Sequence, residues 1–213
     1  MNISKIYKLY VYALEEKADF DVRGCTYCDR HTVGYFDSMP EAINQIQLTS
    51  KCKYLLFNTP VLFTIEAMNL NVNRLIGDVD DIEEISSYDS QGKYITTVMN
   101  GFNGRLEGEI KHKQGDIVFV VDDDYSYYGI IGYPPLSTSE VIARNIQYLD
   151  MSDDSYVVYL IGEGDTHTHA LSTHILPVEE STVDPVFVKK LKEKLQERLA
   201  INSKSVKEQV KLI

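Results

Sequence analysis

The sequence predicts an α+β fold: an antiparallel sheet with one packed helix, then a small β-barrel, then a C-terminal amphipathic helix. Three observations predict it. Short runs rich in Val, Ile and Tyr recur along the chain, each closed by Gly, Asp or Pro, as half-buried antiparallel strands require. These runs are densest between Gly115 and Val178. Two other segments, one after Ser38 and one after Asp184, place apolar residues at helical spacing behind a capping residue.

Ile6–Leu14 is a strand by composition, stopped at Glu15 and Glu16, and a polar loop carrying Cys25 and Cys28 leads to a return strand at Thr32–Phe36. Ser38, Pro40 and Glu41 form a capping box with a proline in the first turn. Met39, Ala42, Ile43 and Ile46 then fall on one face, so this helix should cover one side of the sheet. Lys53–Phe57 and Val61–Ala67 are further strands, interrupted at Asn58-Thr59-Pro60 because proline cannot donate to a central ladder. The acidic stretch between Gly77 and Gly92 is expected to be a solvated connection. Tyr94–Met99 returns to strand character, and Asn100-Gly101-Phe102-Asn103-Gly104 is a strong loop signal. A first domain, β-β-α-β-β-β, is therefore placed at 1–103.

A β-barrel domain at 104–180 follows. Ile117–Val121 and Tyr127–Ile131 flank an acidic turn at Asp122–Asp124, and Tyr133-Pro134-Pro135 ends the second strand. Ser137 and Glu140 box a short helical turn near Val141 and Ile142, and Asn145–Leu149 reads as strand. Tyr156–Ile161 and Thr166–Leu171 flank a turn at Gly162–Asp165. The remainder, 181–213, is a helix from Pro185 to about Ile201 with Phe187, Leu191, Leu195 and Leu199 every four residues, and a short last helix boxed by Ser205 and Glu208.

At Phe102-Asn103-Gly104-Arg105, Gly115-Asp116-Ile117-Val118, Gly129-Ile130-Ile131, Asp153–Val158 and His167-Thr168-His169 the chain resembles an uncharacterised bacterial protein family. The resemblance covers roughly Phe102 to Pro177 and brings no activity with it. The Gly-Asp-x-Val strand start followed by Gly-Ile is similar to SH3-like barrels, so the resemblance implies an SH3-like β-barrel in this half. Fold likeness alone transfers no function.

Charge limits the partners. The net charge of −11 disfavours nucleic acid and anionic lipid, whose affinity rests on Lys and Arg. Residues 189–213 hold eight Lys or Arg against three Glu, a net of +5, so residues 1–188 carry −16. No apolar run approaches the ~20 residues of a membrane span. The N-terminus has charges inside its only apolar segment and no small-residue cleavage site, and three cysteines do not make a secreted disulfide framework. A cytoplasmic protein is expected.

Two motifs offer donors to a metal. Cys25-x2-Cys28-x2-His31, with Cys52 as a fourth ligand, has the donor types of a structural zinc site. Without a second Cys-x2-Cys, free thiols beside a hairpin loop and a small core Cys52 account for it better. His167 and His169 share one face of a strand and could chelate a metal beside Glu163, Asp165 or a carboxylate from another strand, the rival account being two exposed or hydrogen-bonded histidines on a barrel edge. No nucleophile elbow or phosphate-cradling loop is present.

Fifteen tyrosines and no tryptophan are the more suggestive excess. Tyr125, Tyr127, Tyr128 and Tyr133, with Pro134, gather on one hairpin, and tyrosine rings supply rigid contact area with a polar tip. The expectation is a non-catalytic protein-binding module with a basic protein partner, a bacterial immunity or regulatory protein being one concrete form. A metal-dependent enzyme centred on His167 and His169 is the alternative, and a nucleic-acid-associated SH3-like protein a second.

Overall fold

The computed structural model describes residues 5–15, 18–51, 58–69, 82–100, 106–109, 111–137, 139–141, 154–163 and 166–209. The strands expected at Lys53–Phe57 and Asn145–Leu149, the loop at 101–104 and most of the helical turn around Ile142 fall outside them.

The first unit starts with β1 (Lys5–Glu15), β2 (Cys25–Phe36) and helix α1 (Met39–Thr49). The loop before β2 is built by Asp21. Its carboxylate accepts from the Arg23 amide at 2.8 Å and the Cys25 amide at 3.0 Å, and Gly24 supplies the left-handed backbone, φ 77°, that closes the turn. Cys25 and Cys28 thus lie within a strand, not in the expected loop. Ser38 caps α1 by accepting from the Glu41 amide, as its sequence predicts.

The sheet continues through β3 (Asn58–Asn69), β4 (Ile82–Asp89), β5 (Tyr94–Asn100) and the short β6 (Leu106–Gly108), each antiparallel to the last. The acidic stretch read as a connection is in part strand β4. Its polar residues are paired: Ser86 Oγ lies 2.8 Å from Thr97 Oγ1, and Tyr88 is buried with Phe63 and Ile65 under α1. Tertiary partners override the weak strand propensity of Ser and Glu.

The second unit comprises β7 (Ile117–Val121), β8 (Tyr125–Tyr133), β9 (Tyr156–Tyr159), β10 (His167–Ala170) and β11 (Ile175–Pro177), with a 3-10 turn at Ser172–His174, and ends in helix α2 (Pro185–Gln209). The β7–β8 hairpin turns at Asp122–Asp124 as expected. Asp184 caps α2, its carboxylate accepting from the Val186 amide at 2.7 Å. Phe187, Val188, Leu191, Leu195 and Leu199 then pack over Ile117, Ile130, Val157 and Tyr159. The helix runs unbroken through Ser205, where a separate last helix was expected.

One pairing joins the two units. Cys25–Tyr27 of β2 bond to Tyr125–Tyr127 of β8, while Cys28–Phe36 of the same strand bond to β1. Eleven strands among the described residues therefore form one antiparallel sheet, ordered β10-β9-β8-β2-β1-β3-β4-β5-β6 with β7 and β11 joined through β8. This corrects the expected α+β fold with an SH3-like β-barrel as its second half. The chain is mostly β, a sheet curled into a half-barrel with a C-terminal helix. Local patterning shows that strands exist, but the joining of β2 to β8 is a contact between residues about a hundred positions apart.

The curl buries both faces of β1. Leu9 and Val11 face α1 with Ala42, Ile46, Phe63 and Ile65, whereas Tyr10 and Tyr12 face inward onto Phe119 and Val121 of β7 with Cys28 and Leu62. Close approach in the second unit demands glycine at 132, where an added Cβ would stand 2.4 Å from the ring of fully buried Tyr159. Gly132→Ala is expected to destabilise the protein by about 1–3 kcal/mol. The measurement is the urea midpoint, which should fall with an unchanged slope.

Candidate functional site

Two places gather functional side chains. The first is a cleft of about 440 Å³ lined by Arg23, Cys25, Tyr125, Tyr127, Leu160, Ile161 and Thr166. Strand pairing explains its position. β2 and β9 both pair with β8 on the edge opposite β7, β2 along Tyr125–Tyr127 and β9 along Ile130–Tyr133. The fork between them opens beside Tyr128 and Gly129, and the chain leaving β9 supplies the far wall.

Side chains alternate along β8. Tyr125 and Tyr127 line the cleft, and Tyr125 meets exposed Tyr27 of β2 edge-to-face with centroids 6.1 Å apart. Tyr128 points to the other face, stacked among Phe20, Phe119 and Phe187. Tyr133 is buried under α2 beyond a bulge in β8, and Pro134 follows it half-buried. The cleft thus takes two of the four hairpin tyrosines and adds Tyr27, which sequence reasoning missed. A period-two reading of β8 separates Tyr125 and Tyr127 from Tyr128, but no sequence signal pairs β8 with β2.

Carboxylates surround these rings. The Tyr27 hydroxyl donates to Asp29, which, with Asp124 nearby, holds that phenol above its ordinary pKa. Burial pushes the Tyr127 phenol up to about 12, with Asp122 adding to it and a hydrogen bond to Thr168 opposing it. Burial, then Asp21, raises the Cys25 thiol, which favours its protonated form at neutral pH.

The second place is a polar network on the inner face of the half-barrel. Arg30 is paired with Asp123 at 3.0 Å, lies 4.9 Å from the centre of the Tyr10 ring, and donates to the Tyr12 hydroxyl. Tyr12 Oη is 3.1 Å from His174 Nε2, and His174 Nδ1 is 3.3 Å from Thr173 Oγ1. With the ring proton on Nδ1, every group in the chain Arg30, Tyr12, His174, Thr173 donates to the next. Lys8 lies 4.4 Å from the Tyr10 ring centre, and burial raises the nearby Glu66 carboxyl against the opposing pull of Lys8 and Arg30. Sequence reading missed this network too, although Lys8, Tyr10 and Tyr12 at period two mark one polar-aromatic face of β1.

The residues considered as metal ligands are placed apart. Cys28 and Thr26 are buried on one face of β2, and Cys25 and Tyr27 lie on the other, so a Cys-x2-Cys held in a strand cannot turn both sulfurs to one ion. His31 is exposed farther along β2, and Cys52 is outside the described residues. His167 and His169 share a face of edge strand β10, ring centroids 5.4 Å apart and planes at 78°, while Asp165 is outside the described residues. Among the described residues no group of three His, Cys, Asp or Glu side chains converges.

Comparison with known proteins gives no match: no family model, no curated protein and no solved structure matches the chain.

The inner network predicts a pH dependence. Burial, partly offset by Asp122 and reinforced by Arg30, lowers the His174 pKa from 6.5 to about 4. The folded state therefore takes up this proton less readily than the unfolded state. Stability is retained above pH 6.5 and falls as the pH drops towards 4, by on the order of 3 kcal/mol from this group. Urea titrations across that window should show a flatter profile for His174→Gln than for the parent. His112, also lowered by burial, contributes in the same direction in both proteins and so cancels in the comparison.

Proposed function

We propose that this chain is a non-catalytic, cytoplasmic protein-binding module that contacts its partner through the cleft between β2 and β9. The observation that carries the reading is the Tyr27–Tyr125 pair. Both rings are about half exposed, 48% and 55%, yet they are held edge-to-face at the mouth of a cleft walled by Tyr127, Leu160 and Ile161. Exposed aromatic rings fixed by strand pairing lose little entropy on contact, which is how tyrosine-rich recognition surfaces gain affinity. At the rim the Tyr27 hydroxyl donates to Asp29 and Arg23 is paired with Asp21, the apolar-centre and polar-edge layout of a protein-contact surface.

The depressed His174 and elevated Tyr12 pKa values favour this reading over acid-base chemistry. Both groups are neutral at pH 7 and bonded to each other, Tyr12 buried and His174 half-buried, so neither is poised to exchange a proton with a substrate. No helix among the described residues is long and apolar enough to cross a membrane. The acidic body also suits a protein that meets a basic partner by electrostatic steering, as a bacterial immunity or regulatory protein does.

The test is quantitative affinity capture with three proteins: the parent, a Tyr27→Ala/Tyr125→Ala variant, and a Tyr35→Ala control at an exposed site away from the cleft. A partner retained by the parent and the control and lost by the cleft variant is the expected result. Equal retention by all three proteins removes the cleft as the contact.

A further inference from the structure

We infer that the open edge of β2 pairs with the same edge of a second copy of this chain, joining two half-barrels into one continuous sheet; this surface is separate from the cleft. β8 pairs with β2 only along Cys25–Tyr27, and Cys28 then gives its amide to the Asp124 carbonyl at 3.1 Å. From Asp29 to Phe36 the strand is paired with β1 alone among the described residues. The strands that end the sheet order, β10 and β6, have four and three residues, so this open edge is longer than either. Exposure marks it too. A strand covered on one face alternates buried and exposed residues, but Arg30, His31 and Thr32 are exposed in succession. The segment holds neither proline nor lysine, the residues that guard strand edges against pairing.

The ladder fixes which backbone groups face out. The Cys28 amide points away from β1, so by alternation those of Arg30 and Thr32 do as well. A bulge at Val33 then sets an extra residue against β1, with Thr32 opposite Tyr10 and Gly34 opposite Leu9, and the alternation resumes with Tyr35 facing out. Side chains follow the same break. Arg30, Thr32 and Tyr35 lie on the inner face with Tyr12, Tyr10 and Lys8, while His31, Val33 and Phe36 lie on the α1 face with Val11 and Tyr7.

This face order is the same in both directions from the step between Val33 and Gly34. An antiparallel neighbour related by a twofold axis normal to the sheet must bring same-face residues opposite one another. One register does so along the whole segment: Val33 against Gly34 of the second copy, Thr32 against its Tyr35 and His31 against its Phe36, each pair made twice by symmetry. Thr32 and Tyr35 then exchange N–H···O bonds, and the β-branched and aromatic side chains meet in favourable cross-strand pairs. Arg30 comes opposite Asp37, so no like charges stand directly opposed. Ser38, where the chain turns into α1, falls opposite Asp29 beside the β7–β8 turn, so the second strand ends where the open edge ends. The match in length and face order is to the chain itself, which selects a second copy over a foreign strand.

Sedimentation velocity on the full chain, from low to high micromolar concentration, reads the oligomeric state, and circular dichroism checks the fold of each variant. The parent is expected to dimerise. Thr32→Pro removes an outward amide and sets a ring in the path of the incoming strand without touching the bonds to β1, and should give a folded monomer. Thr32→Glu/Tyr35→Glu opposes carboxylates across the axis and should weaken association about tenfold, whereas Thr32→Glu/Tyr35→Lys opposes unlike charges and should restore it. If Thr32→Pro unfolds, the two charge variants decide. A parent that stays monomeric overturns the inference and leaves the edge to a strand of another protein. Dimerisation that neither Thr32→Pro nor the paired glutamates disturb overturns it in favour of another surface. Equal weakening by both charge variants overturns the register and the pairing built on it.

Discussion

The fold depends on the division of β2 between two partners. Its first three residues are bonded to β8 and the rest to β1. A strand shared in this way cannot let its two neighbours lie in one flat layer, because strand twist accumulates across each pairing. The sheet therefore curls until β7, carried on the far side of β8, covers the face of β1 that α1 leaves open. Tyr10 and Tyr12 find Phe119 and Val121 there, and the inner core exists only because both units share one strand.

The same constraint accounts for the polar network. Curling encloses the inward face of β1, which carries Lys8, Tyr10 and Tyr12, and each buried polar group then requires a partner. The partners come from distant segments: Arg30 from β2, Asp123 from the β7–β8 turn, and His174 from the 3-10 turn after β10. Burial holds the Tyr12 phenol and the His174 imidazole neutral, so the innermost bond joins two uncharged groups and carries no desolvated charge. The ion pair of Arg30 and Asp123 stays at the rim, where water still screens it. Charge is graded outward, as a stable half-barrel needs.

Much of the local structure was legible. The helix cap at Ser38, the acidic turn at Asp122–Asp124 and the Asp184-Pro185 helix start each state a backbone conformation within a few residues, and each appears where it was read. The β4 strand was not legible because Ser86 and Ser87 are unremarkable until Thr96 and Thr97 stand opposite them. Cys25 and Cys28 looked like a loop because their spacing suggests a turn, whereas β8 pulls the segment into a ladder. The candidate site was half legible. Tyr125 and Tyr127 announce themselves by composition, but Tyr27, Leu160 and Ile161 join them only through pairings that no local pattern encodes.

The location of the cleft follows from how strands can share an edge. β8 offers one edge to β7 along most of its length and the other to two strands in turn, β2 at Tyr125–Tyr127 and β9 at Ile130–Tyr133, which leaves Tyr128 and Gly129 between them paired with neither strand. Backbone groups at that gap need other partners, and the Tyr128 amide finds one in the Gly24 carbonyl at 3.0 Å. Gly129 must stay small there, because an added Cβ would stand 2.3 Å from Val158. The gap is thus a fixed consequence of topology, with a satisfied backbone and a rigid floor, and side chains can change at its rim without disturbing the ladder. A surface placed at such a fork inherits the stiffness of the sheet, because Tyr27 and Tyr125, the exposed rings that project beside it, are both anchored in paired strands.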